Sequence, residues 1–146
     1  MSSLTFAVFM ALCGGLAVAV QGPLASLVGR EVGTLGSGLV VHASGALIAV
    51  VLLLFTGWHS LAGWSQIPWY ALVGTGLCGV IVIAAFSLSV PLIGMTGTAS
   101  LIVASQLIAA AVFDHFGLLG LEHYALSWVR IAGMGVLLLG AWMILR

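Results

Sequence analysis

The chain has 146 residues, of which 63% are hydrophobic and only 4% charged, and its three arginines balance its three acids. A soluble domain carries about 25% charged residues, so this composition excludes a water-soluble globular protein and points to an integral membrane protein. There is no lysine and no basic or acidic stretch, so neither nucleic acid nor an acidic lipid surface is implied as a partner.

Five apolar runs follow one another at about 4–28, 36–57, 69–90, 94–113 and 126–145. Each is close to or above the roughly 20 residues that a helix needs to cross hydrocarbon. The linkers 29–35, 57–68, 91–93 and 114–125 are short, and Trp58, Trp69, Trp128 and Trp142 lie at or near run ends, where amphipathic rings settle at a bilayer surface. The expectation is an all-α integral membrane protein, a single five-helix transmembrane domain over residues 1–146.

Run 1 could pass for a secretory signal with Ala17-Val18-Ala19 as the cleavage site, but it lacks the Lys or Arg of such a leader, so it reads as a retained helix. Pro23 deprives the Ala19 carbonyl of its helical partner and predicts a kink. Run 2 puts Gly38, His42, Gly45 and Ala49 on one face. Run 3 carries Gly74, Gly76 and Gly79 and is expected to stop at Pro91, run 4 places Ser105 beside Gln106, and run 5 has Gly133 and Gly140 two turns apart. Small residues at such spacings let membrane helices approach closely, which accounts for most of the 20 glycines. Cys13 and Cys78 lie inside apolar runs and read as small packing residues.

With five spans, Arg30 and Arg146 share one side and Arg130 stands on the other. The positive-inside rule then favours N-outside, C-inside by a margin of one. So weak a bias suits insertion in both orientations, with two copies pairing as an inverted homodimer around a midplane site.

The polar groups inside the runs are the candidate site, because hydrocarbon offers an amide or a carboxylate no water. Counting rise from the run centres places Gln21 and His42 at similar depths toward linker 29–35, Gln106 near the midplane, and Asp114 at the opposite end. An inverted pair brings Asp114 of one copy level with Gln21 and His42 of the other. Gln21, His42, Ser105 and Gln106 are candidate substrate contacts. Asp114 and His42 are candidate proton or cation sites, histidine being the side chain that changes charge near neutral pH. Each has a plainer alternative: Gln21 bonding the carbonyl freed by Pro23, His42 bonding a backbone carbonyl, Gln106 gluing two helices, and Asp114 pairing with Arg130. No grouping of Ser, His and Asp at one depth, no nucleophile elbow and no phosphate loop is present, and the His and Cys spacings match no zinc pattern. No catalysis, cofactor or metal is expected.

Ser105-Gln106-Leu107 followed by Asp114-His115-Phe116-Gly117-Leu118-Leu119-Gly120 resembles the signature of the YdcZ-type, five-helix branch of the drug/metabolite transporter superfamily. Gln21 with Pro23 and Leu24, Pro68-Trp69-Tyr70 with Gly74 and Gly79, Pro91-Leu92-Ile93-Gly94, and Arg130 with Gly133 and Gly140 extend the resemblance along the whole chain. The sequence departs from the family's habit at Ala25, where Asn is common, at Ser105, where Gly is common, and at His42, near which an aromatic is usual. The resemblance implies a bacterial inner-membrane, multi-pass transporter that exports small metabolites. It also implies kinship with ten-helix relatives built as two inverted five-helix halves. The expected partners are a small solute, the lipid bilayer and a second copy. A passive channel, or a non-transporting partner subunit, are the alternatives.

Overall fold

Backbone in hydrocarbon must satisfy its own N–H and C=O groups, so the apolar runs become helix. The computed structural model describes residues 3–146. There the chain forms three α-helices and no strand: α1 (Ser3–Thr56), α2 (Trp69–Phe116) and α3 (Trp128–Ile144). At 54 and 48 residues, α1 and α2 are more than twice as long as one crossing needs.

Both long helices are interrupted by one glycine. Gly33 has φ 75° and ψ 170°, and Gly94 has φ 73° and ψ 167°. That region of backbone space belongs essentially to glycine, so each glycine ends one helical segment and begins the next. α1 thus comprises segments 3–32 and 34–56, and α2 comprises 69–93 and 95–116. At Gly33 the chain turns back on itself. The Ser37 hydroxyl donates to the Ala25 carbonyl at 2.8 Å, whereas twelve residues along a straight helix would separate them by about 18 Å.

These joints differ from the expected linkers. Residues 29–35 are helical apart from Gly33, because Arg30 and Glu31 are good helix formers whose heads reach water without unwinding the backbone. The third segment runs past Pro91 to Ile93, since proline removes one helical hydrogen bond, that to the Ser87 carbonyl, and it is Gly94 that breaks the dihedrals. Asp114, His115 and Phe116 stay in α2, and left-handed Gly117 ends it. Linker 57–68 lies where the sequence puts it and holds two 3-10 turns, Trp58–Leu61 and Trp64–Gln66. α3 starts after Ser127, whose hydroxyl accepts from the Arg130 N–H at 3.3 Å as its N-cap.

The chain divides into two compact units, Met1–Leu92 and Ile93–Arg146. In the first, Ala25, Ser26, Ser37, Ile83, Phe86 and Ser87 are buried; in the second, Thr98, Ala104 and Ala141 are. Around these small cores the helices are apolar on every side. In the most apolar stretches of α1 and α2 only 6% and 11% of residues are buried. A helix that is apolar all round and unburied by its own chain is matched to lipid.

Replacing Gly33 by alanine should cost about 1–3 kcal/mol, because no neighbouring atom would crowd a Cβ there and the whole penalty is backbone strain. Gly14→Ala, in helical backbone with equally open surroundings, should be neutral or stabilising by up to about 1 kcal/mol. Reversible unfolding in detergent, followed by far-ultraviolet circular dichroism, measures both. Equal effects would show that the dihedrals at Gly33 are not the constraint.

Candidate functional site

In the first unit three segments meet at one carbonyl. The Ser37 hydroxyl donates to the Ala25 carbonyl at 2.8 Å, and the Ser87 hydroxyl lies 3.2 Å from both that carbonyl and the Ser37 oxygen. A hydroxyl has a single hydrogen. With Ser37 donating to Ala25, Ser87 completes a chain by donating to Ser37. Gly29 makes the approach possible, since a Cβ there would stand 2.9 Å from the Ser87 side chain. Next to Ala25, the buried Ser26 hydroxyl has no hydrogen-bond partner among the described residues.

His42 sits one turn beyond this junction. Its Nδ1 is 2.7 Å from the Gly38 carbonyl, and a carbonyl can only accept, so the hydrogen is on Nδ1. The Nε2 edge lies against Gly79, where a Cβ would overlap the ring. His42 is therefore held by its own helix on one nitrogen and presents the other to the third segment. Gln21 lies elsewhere in the unit. It lines a groove of about 630 Å³ between segments 3–32 and 34–56, whose other polar side chain is Ser44. His42 is not among the residues that line that groove.

In the second unit, Ser105 donates its hydroxyl to the Ile102 carbonyl at 3.0 Å, which leaves its oxygen free to accept. The Gln106 side chain is exposed and, like that of Gln21, has no hydrogen-bond partner among the described residues. Asp114 faces Arg130 at 3.8 Å, with both side chains partly exposed, at the end of a second groove of about 340 Å³. The loop after α2 is strapped back over this end. The Tyr124 N–H donates to the Asp114 carbonyl at 2.9 Å, the Leu126 N–H donates to His115 Nδ1 at 3.4 Å, and the Tyr124 hydroxyl donates to Glu122 at 2.9 Å. The His115 and His123 rings are 5.9 Å apart. No group of three or more His, Cys, Asp or Glu side chains suited to a metal ion occurs among the described residues.

The sequence reading passed over Ser26, Ser37 and Ser87. A signal was there: Ser87 precedes Pro91 by four, the position whose carbonyl that proline frees, and Ser37 adjoins the Gly38–His42 face. Periodicity could not join residues fifty positions apart.

Residues 6–143 match the YdcZ family model, described as "Putative inner membrane exporter, YdcZ". No curated protein matches the chain, and no solved structure does.

Because the Ser87 hydroxyl lies 3.2 Å from the Ala25 carbonyl as well as from Ser37, it can turn to that carbonyl when Ser37 is removed, and Ser37 keeps its own bond to Ala25 when Ser87 is removed. Ser37→Ala and Ser87→Ala should each lower stability by about 1 kcal/mol, and the double variant, which deprives the carbonyl of both hydroxyls, by more than their sum. Detergent unfolding of the three variants measures this. Additive losses would mean that the two hydroxyls act separately.

Proposed function

The chain belongs to the YdcZ inner-membrane exporter family, and from that premise we propose that it is a secondary-active exporter of a small metabolite, working as a homodimer of oppositely oriented copies. The observation that carries this reading is the pair of amides at Gln21 and Gln106. Both project from apolar helices without a hydrogen-bond partner among the described residues. An unsatisfied amide in hydrocarbon costs several kcal/mol, so each is suited to bonding a passing solute or a second copy.

Segments 3–32, 34–56, 69–93 and 95–116, together with α3, serve as five crossings, α3 being the shortest at 17 residues. An odd number of crossings, with Arg30 and Arg146 set against Arg130, leaves orientation nearly undecided and supports pairing of inverted copies. Gln21, His42, Ser105 and Gln106 contact the solute in this reading. Ser105, whose hydrogen is already committed to Ile102, accepts there and does not donate. Coupling to a proton or cation rests first with His42, whose Nε2 has no hydrogen-bond partner among the described residues, and second with Asp114, for which Arg130 already competes.

A growth comparison of cells with and without the protein, against a panel of amino acids, amines and toxic metabolites, identifies a solute whose tolerance it raises. For that solute Gln106→Leu should abolish the protection while membrane levels of the protein stay unchanged; survival of full transport would reduce Gln106 to a packing residue. Reporters fused to the C-terminus, one active in the cytoplasm and one outside it, should both give signal. Signal from one alone would sink the inverted dimer.

A further inference from the structure

The second groove has a construction that transport chemistry does not account for. One wall is Leu107, Ala110, Ala111 and Asp114 of α2, and the other is Arg130, Gly133, Met134 and Leu137 of α3. Each set has the i, i+3, i+4, i+7 spacing of a single helix face. Three of the eight residues are alanine or glycine, which keeps the groove open. It runs about 10 Å along the helices, seven residues at 1.5 Å each, and its volume of about 340 Å³ makes it a slot.

One end is charged and the rest is apolar. Asp114 is in the last turn of α2 and Arg130 in the first turn of α3. That is the level of headgroups, and it is also where the highly exposed Trp128 stands. The two charges are 3.8 Å apart, beyond hydrogen-bond reach. The carboxylate accepts no hydrogen bond and the guanidinium donates none among the described residues, though Arg130 also lies 5.8 Å from the centre of the Tyr124 ring. A ligand with one cationic donor and one anionic acceptor a short link apart would satisfy both.

We propose that this groove holds a phospholipid with an ethanolamine headgroup: the ammonium on Asp114, the phosphate on Arg130, and one acyl chain along the apolar slot. The charges select it. An anionic glycerol headgroup would suit Arg130 but set a second negative charge beside Asp114 with no cation between them. A choline headgroup supplies the cation but has no N–H to donate to the carboxylate. The apolar length selects a lipid over a soluble zwitterion, because Leu107 and Leu137 remain half-exposed along it and need an apolar cover. The inference does not rest on the transport reading and holds whether or not Asp114 also couples transport.

The test is native mass spectrometry of the full chain, delipidated in detergent and offered equal amounts of phosphatidylethanolamine and phosphatidylcholine of the same acyl composition. The ethanolamine lipid should be retained about tenfold over the choline lipid, the worth of one charge-assisted hydrogen bond. Asp114→Asn should bring the ratio near one, whereas Arg130→Gln, which removes the contact to the phosphate that both lipids carry, should reduce retention of both. Gly133→Leu, which fills the slot and leaves both charges in place, should reduce retention of both lipids. A ratio near one in the unaltered protein overturns the proposal, as does a ratio that Asp114→Asn does not move. Displacement of the lipid by millimolar free leucine would assign the site to a soluble zwitterion instead and overturn it equally. Retention is read without any transport assay, so its failure and a failure of export are distinguishable.

Discussion

Everything in the first unit depends on one carbonyl that accepts more than its helix requires. The Ala25 oxygen, the Ser37 hydroxyl and the Ser87 hydroxyl tie three helical segments together where burial is deepest. Lipid tails are as apolar as leucine, so helices in a bilayer gain little from hiding apolar surface against each other. Close backbone approach and a few interhelical hydrogen bonds must do that work. Gly29 supplies the approach, the serines supply the bonds, and the turn at Gly33 brings Ser37 back within reach of Ala25. His42, one turn further on, inherits its position from this junction.

The class of the fold was plain in the sequence because composition alone decides between water and lipid. The 57–68 linker and the start of α3 were nearly right as well, since Pro68 and the Ser127 cap are local signals. The joints at Gly33 and Gly94 were not legible. Arg30 and Glu31 look like a loop when charge is taken to mean coil, and Pro91 looks like a stop when proline is taken to end a helix, whereas in both places the dihedral freedom of a neighbouring glycine decides. Of the candidate site, the ion pair of Asp114 with Arg130 and the histidine-to-carbonyl bond of His42 were both foreseen as plain alternatives, because each is a short-range contact. The serines had local signals, but their junction was not legible because it joins Ser87 to residues 50 and 62 positions away, and no periodicity records such a distance.

A single copy leaves its most polar side chains unanswered. Gln21 and Gln106 have no hydrogen-bond partner among the described residues, and Asp114 and Arg130 face each other at 3.8 Å without closing. This incompleteness fits a protein whose helices finish their hydrogen bonding against something else: a solute, a lipid or another copy. It also fits how little of α1 and α2 the chain buries by itself.

The length of α3 bears on where such a protein can reside. Its 17 residues rise about 26 Å, and its two tryptophans, Trp128 and Trp142, stand about 21 Å apart, while Arg146 stacks over the second at 4.3 Å. A typical hydrocarbon core is about 30 Å thick. In the five-crossing reading proposed above, indole rings that prefer the interface at both ends of so short a helix draw the two leaflets together around it. In that reading the second unit carries a built-in hydrophobic mismatch. Thin bilayers relieve it and thick, well-ordered ones aggravate it, which makes membrane thickness a variable that acts on this protein through one helix.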